Sequence, residues 1–271
     1  MRCAFGVTLG FCLLLFACQK EEERAQPLGN CPPKDPNCAI VPPGGGGGNG
    51  GADAGTAGSS GNAGQVGTLT GGIIGVTSDD FVSGVAFVET AKVEADPPGS
   101  VAVQGTYDGN SYSLQNLSVG PDVWIGVTPD PGSAFLPTLQ PVNTALTSTA
   151  DLVVVAANVI DEVYGILTLP EARQPDRAHV VVRFLDAKTL TPVSGVVVTH
   201  QGENIAYDAG GTWSDITGET GAAGYAVIVN ALSQSFTSKQ KLTFQAVGVQ
   251  GSVDLAMRAG AVTLADVAIA K

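Results

Sequence analysis

Few side chains in this sequence could do chemistry. Nucleophilic catalysis needs a Ser, Cys or Thr beside a base, with the base oriented by a third group. The two histidines, His179 and His200, each lie in a strand-like run with no such motif around them. A lone strand histidine is ordinarily an exposed or satisfied side chain, so no catalysis is expected. Two histidines and no thiol beyond residue 38 supply no zinc set, and Asp79-Asp80, or Asp208 with Asp215, lack the spacing of a calcium loop. No metal or other cofactor is expected. Paired carboxylates for sugar hydrolysis normally sit in a larger, aromatic-rich cleft. The unbroken glycines at 44–48 are not followed by the Gly-Lys-Ser/Thr of a phosphate-binding loop. The run Tyr207-Asp208-Ala209-Gly210-Gly211-Thr212-Trp213-Ser214-Asp215 brings two aromatics together. Exposed, Tyr207 and Trp213 would form a ligand platform for a carbohydrate or a partner; buried, they would plug one end of a β-sandwich.

The cysteines point elsewhere. The chain opens with one basic residue, Arg2, then an apolar stretch that stops at Ala17-Cys18. This is the layout of a secretory signal, and at about 15 apolar residues it is shorter than the roughly 20 of a transmembrane helix. Leu15-Phe16-Ala17-Cys18 resembles the lipobox of bacterial lipoproteins. The resemblance implies cleavage between Ala17 and Cys18 and a thioether from Cys18 to a diacylglycerol, whose chains hold the protein to a bilayer at about 0.8 kcal/mol per buried methylene. The alternative is a plain signal peptidase site with Cys18 incidental. Cys3 and Cys12 leave with the signal, so Cys31 and Cys38 remain as an even pair in an oxidising compartment, and a disulfide is expected between them. Two thiolates alone make a poor zinc site.

The chain carries a formal charge of −12, and losing Arg2 with the signal would take it to about −13. Phosphate binding rests on Lys and Arg clusters that are absent here, so nucleic acid is not an expected partner. After Cys18 comes Gln19-Lys20-Glu21-Glu22-Glu23-Arg24, which resembles the export signal of surface lipoproteins in some Gram-negative bacteria; a hydrated spacer is the plainer reading. Residues 42–64 are low-complexity Gly, Ala, Asn, Ser, Thr and Asp, with too little apolar surface to offset backbone entropy. A flexible segment over 19–66 would reach about 35–40 Å.

From residue 67 the pattern changes to short alternating runs set off by Gly, Pro, Asp and Asn, the signature of strands and turns. Val123, Ile125 and Val127 share one face against Trp124, Gly126 and Thr128; Leu242, Phe244 and Ala246 alternate with Lys241, Thr243 and Gln245. Asp108-Gly109-Asn110 joins the run 101–107 to Tyr112 and Leu114 as a hairpin. In 262–269 the alternation changes phase near Asp266, predicting a β-bulge. Asn158-Val159-Ile160-Asp161-Glu162-Val163-Tyr164-Gly165-Ile166-Leu167 has helical spacing and predicts one helix, placed across a sheet edge or between modules.

A repeat runs through this region. Val82-Ser83-Gly84-Val85 recurs as Val193-Ser194-Gly195-Val196, and Tyr112-Ser113-Leu114-Gln115-Asn116-Leu117 corresponds to Tyr225-Ala226-Val227-Ile228-Val229-Asn230. Pro192-Val193-Ser194-Gly195-Val196 followed by Thr220-Gly221-Ala222-Ala223-Gly224-Tyr225 resembles the carboxypeptidase regulatory-like, transthyretin-like family; Gly84-Val85 and Asp108-Gly109-Asn110-Ser111-Tyr112 repeat the pattern without the proline. The resemblance implies small Greek-key sandwiches in an accessory or adhesive role. Some related adhesin modules carry a Lys–Asn isopeptide crosslink, but 261–271 contains no Asn.

The expected architecture is all-β: a signal peptide at 1–17, a disordered tether at 18–66 with the Cys31–Cys38 loop, an immunoglobulin-like sandwich at 67–156, a connecting helix or linker at 157–171 and a second sandwich at 172–271. The expected protein is anchored by lipid to the cell envelope, at the outer membrane, and presents non-catalytic modules to another envelope protein or a polysaccharide. The alternatives are a carbohydrate-binding module using Tyr207 and Trp213 and, less favoured, a small hydrolase of unrecognised type.

Overall fold

The computed structural model describes residues 66–78, 81, 84–96, 102–120, 123–169, 173–199, 204–232 and 239–270. The expectations for Ala17, Cys18, Cys31, Cys38, Asp79, Asp80 and His200 lie outside these residues. The first half comprises β1 (Val66–Gly71), β2 (Ile73–Val76), β3 (Gly84–Ala86), β4 (Ala91–Asp96), β5 (Val103–Tyr107), β6 (Tyr112–Ser118), β7 (Val123–Pro129), β8 (Phe135–Leu136), β9 (Thr138–Val142) and β10 (Leu152–Ala156). Helix α1 (Ala157–Ile166) follows directly. The second half holds β11 (Arg177–Asp186), β12 (Val197–Thr199), β13 (Asn204–Asp208), β14 (Trp213–Ser214), β15 (Tyr225–Leu232), β16 (Lys239–Ala246), β17 (Val249–Ala256) and β18 (Val262–Ile269).

Both halves follow one pairing plan. In each, an early strand runs parallel to the last, β2 with β10 and β11 with β18. In the second half β11 also runs antiparallel to β15, the strand opened by the repeated tyrosine, and in the first half β1, just ahead of β2, pairs in the same way with β6. A second layer runs in the order β4-β7-β9 in the first half and β12-β16-β17 in the second. The β5–β6 hairpin forms as expected: the Asp108 carboxylate accepts the Asn110 and Ser111 N–H groups at 3.0 and 2.9 Å, and Gly109 takes φ +93°. The two tyrosine strands also share a defect. Asn116 and Asn230 both sit at φ +59°, where the ladder to β1 or β11 slips register. Asn tolerates the left-handed region better than most residues, which suits it to a bulge. The Val-Ser-Gly-Val repeat is not equivalent in pairing. Gly84-Val85 lies in β3, which folds back on β2, whereas Val196 leads into β12, which pairs with β16.

The halves are joined through the sheet itself. The parallel pairing of Val262 with Thr138 and Thr263 with Leu139 makes a nine-stranded sheet in the order β14-β13-β15-β11-β18-β9-β7-β4-β5. One face of its second-half portion closes on β12, β16 and β17 around Phe184, Phe244 and Leu242, with Trp124 and Leu139 of the first half joining this core. The opposite face carries Val181, Val227, Val262 and Leu264. It is covered by Val159, Ile160, Val163 and Tyr164 of α1 together with Val76, Phe81, Val153 and Val155 of the first half. The helix therefore packs between the halves. It is 10 residues long with no side-chain cap at its start, so packing rather than intrinsic helicity must hold it.

The seam corrects one expectation and extends another. β18 keeps an unbroken register with β11 from Val262 to Ile269, so there is no bulge at Asp266; the alternation fails because all eight residues are buried, both faces being covered. Trp124 does face away from Val123, Ile125 and Val127, yet that second face is covered too: Trp124 is 4 % exposed because the second half packs on it. β16, with only one face covered, alternates as expected. Within the first half, the buried amide of Gln140 on β9 links two sheets: its Nε2 donates to the Val153 carbonyl and its Oε1 accepts the Val153 N–H, both at 3.1 Å.

Candidate functional site

The aromatic pair singled out in the sequence is not a platform. The register Tyr207↔Ser214 and Asp208↔Trp213 puts Tyr207 and Trp213 on opposite faces of the sheet, and they are 4 % and 5 % exposed. Tyr207 lies inside the second sandwich, where its hydroxyl accepts the Val198 N–H at 3.0 Å and faces the Val198 carbonyl at 3.3 Å. Trp213 lies on the seam face, edge-on to Phe81 at 5.6 Å between ring centroids.

The family-like motifs do converge, at one corner of the second sandwich. Thr220 Oγ1 accepts the Val196 N–H at 3.0 Å and donates to the Val193 carbonyl at 2.9 Å, while the Thr220 backbone pairs with Gly195 and Val196. Asp208 holds the next turn, its carboxylate accepting N–H groups from Gly221, Ala223 and Tyr225 at 3.0, 2.8 and 2.8 Å. Gly224 is required there: it takes φ +74°, and a Cβ would come within 2.8 Å of the Phe184 carbonyl. The polar atoms of this corner are consumed in holding the chain, so Asp208 has little to offer a cation. No group of three His, Cys, Asp or Glu among the described residues could hold a metal ion.

His179 is 1 % exposed on the seam face of β11, edge-on to Tyr164 at 5.9 Å, with no hydrogen-bond partner on Nδ1. Burial, reinforced by Arg173 and opposed by Asp161, lowers its pKa to about 4. It is neutral near pH 7 and has no nucleophile beside it among its described contacts. A groove of about 350 Å³ lies where the chain enters the first half, lined by Gly67, Thr68, Leu69, Leu117, Leu146 and Thr147 among others.

The sequence reading missed a row of polar residues across the seam face. Arg183 stands opposite Asp266 in the β11–β18 ladder and opposite Tyr225 in the β11–β15 ladder. Its guanidinium carbon lies 5.3 Å from the Tyr225 ring centroid. Neither Asp266 oxygen has a hydrogen-bond partner, and burial, opposed by Arg183, pushes its pKa up to about 7. A trace was present in the sequence: one charge in each of two runs, Val180-Val181-Val182-Arg183-Phe184 and Val262-Thr263-Leu264-Ala265-Asp266-Val267, that are otherwise apolar or nearly so.

No family model matches the sequence, and no curated protein matches it. Among solved structures, the Bacillus anthracis TIE protein is 14 % identical, with 74 % of this chain and 34 % of that protein covered at a TM-score of 0.22. The chain thus spans about a third of the TIE protein's length. A double-mutant form of the shaft pilin SpaA from Lactobacillus rhamnosus GG is 9 % identical over 74 % of this chain and 98 % of the pilin, also at 0.22. A titin immunoglobulin tandem is 12 % identical over 74 % and 96 %, at 0.12. The immunoglobulin-like fold rests on the strand pairing. No helix among the described residues is long and apolar enough to cross a membrane.

Proposed function

We propose that the chain is a lipid-anchored protein of the bacterial cell envelope, placed at the outer membrane, that presents two non-catalytic β-sandwich modules, at 67–156 and 172–271, to another envelope protein or a polysaccharide. The observation that carries this reading is the sequence Leu15-Phe16-Ala17-Cys18 at the end of an apolar stretch, followed by a charged run and a glycine-rich segment. The structure supports the presenting role in one respect. A sheet shared across the two halves, with a second core under it, makes one stiff body of the described residues. A body of this kind holds whatever surface it displays at a fixed geometry, which lowers the ordering cost of binding.

The test is mass spectrometry of the mature amino terminus after membrane fractionation, with Cys18→Ser in parallel. A diacylglyceryl group on Cys18 and release of the variant into the soluble fraction are expected. A mature end elsewhere, or a variant that fractionates like the wild type, would overturn the reading. Non-reducing peptide mapping of the same sample should recover Cys31 and Cys38 in one bridged peptide.

A further inference from the structure

Arg183 stands between two partners, of which it engages one. On one side is the Tyr225 ring, over which its guanidinium now lies. On the other is Asp266, its register neighbour, 8 % exposed and with both oxygens unpartnered. Arg183 Nε is likewise buried without a hydrogen bond. A carboxylate left ionised in this setting would be a buried charge with no compensating bond, the costliest state available to it. Protonated, it loses the charge and Arg183 is free to lie on the ring.

The surroundings leave Arg183 as the group that can respond. On β13 the Asp208 carboxylate is occupied by three backbone N–H groups. Residues Thr138–Val142 of β9, beyond β18, include no ionisable side chain. Asp161, Tyr164 and Arg173 gather around His179, at the other end of β11, and Glu162 of α1 is exposed. Phe81 of the first half packs on Tyr225 at 5.9 Å, held at φ +50°, a backbone conformation that costs a phenylalanine free energy. Asp79 and Asp80, its neighbours in sequence, lie outside the described residues.

We propose that Arg183 is a proton-controlled switch with two exclusive seats, over the Tyr225 ring when Asp266 carries its proton and against the Asp266 carboxylate when that proton is gone. Leaving the ring withdraws the cation from one face of Tyr225 and loosens the Phe81 contact that ties the first half to the second. The direction follows from the burial of Asp266: its proton is held up to about pH 7, so the ring seat is the acid form and the ion pair the alkaline form. The proton passes to solvent as pH rises, and no bond other than the carboxyl O–H is broken.

The experiment is NMR of the full chain from about pH 5 to about pH 9, following the Asp266 carboxyl carbon, the Tyr225 ring protons and the Phe81–Tyr225 cross-peaks. A single shared midpoint near 7 is expected for carboxyl and ring, with the cross-peaks weakening above it. Asp266→Asn should leave the Tyr225 ring independent of pH. Arg183→Gln should raise the carboxyl midpoint by about one pH unit or more, since the cation that favours ionisation is removed. A Tyr225 ring that ignores the Asp266 midpoint, or an Asp266 that titrates below about 5, would overturn the proposal. If Asp266→Asn fails to fold, the Arg183→Gln titration decides it alone.

Discussion

Two residues on the seam face set opposing pH dependences. Asp266 has its folded pKa raised to about 7, so between about 4 and 7 the folded chain binds more protons than the unfolded one, and stability falls as pH rises through that window. His179 has its folded pKa lowered to about 4, so below its unfolded value of about 6.5 the folded chain binds fewer protons, and stability falls as pH drops. The two slopes oppose each other over the same interval. Urea denaturation of Asp266→Asn between about pH 5 and 6.5 should therefore show stability rising with pH, and His179→Gln should show it falling, relative to wild type. Equal slopes in both variants would contradict the assignment. Gln140 tests a different cost. Gln140→Ala strips the Val153 N–H of its partner in a dry site, while the carbonyl keeps Thr138 Oγ1 at 2.6 Å, and should lower stability by about 1–3 kcal/mol, read from the urea midpoint at unchanged m-value.

The helix shows what an element can owe to its surroundings. α1 has no acidic residue in its first turn and no basic one in its last, and its buried side chains meet strands of both halves. Ile160→Ala should cost about 2–5 kcal/mol, and because that side chain serves both halves, one unfolding transition should shift rather than one of two. Circular dichroism and tryptophan fluorescence give the two readouts, Trp124 belonging to the first half and Trp213 to the second. The elements also show where a sequence is readable. Alternation located β16, the β5–β6 hairpin and the two tyrosine-led strands because each of these signals is local to its own residues. It gave no sign that the face carrying Trp124 would be covered, supplied a false bulge at Asp266 and left open whether Tyr207 and Trp213 were exposed or buried. In the first two cases a second layer covers the face that period two assigns to water, and nothing within a strand reports what packs on it from far along the chain. Arg183 and Asp266 were overlooked for the related reason that their pairing is a property of strand order.

Across the whole molecule the seam is fastened by polar contacts as well as by apolar burial. Arg258, after β17, pairs with Glu94 on β4 and donates to Thr128 Oγ1 at 3.1 Å. Lys239 lies over the Trp124 ring at 5.9 Å. Burial works to raise the Glu94 carboxyl, but Lys92 and Arg258 outweigh it and hold it below its ordinary value. Arg258→Ala should cost about 1 kcal/mol, the ion pair being partly exposed, and the two halves should still melt together in calorimetry. Two resolved calorimetric peaks in the wild type would show that the shared sheet does not couple them.

The position of β18 has a further consequence, for the order in which the protein can be made. This strand lies between β11 and β9, so the centre of the sheet is closed by residues that leave the ribosome after everything they join. Until they arrive, the first half lacks a neighbour along β9 and the second lacks its parallel partner. Contacts so distant along the chain form slowly. A polypeptide emerging amino end first therefore closes this sheet only once β18 is free, so β9 and β11 keep open edges for as long as synthesis of the intervening residues takes.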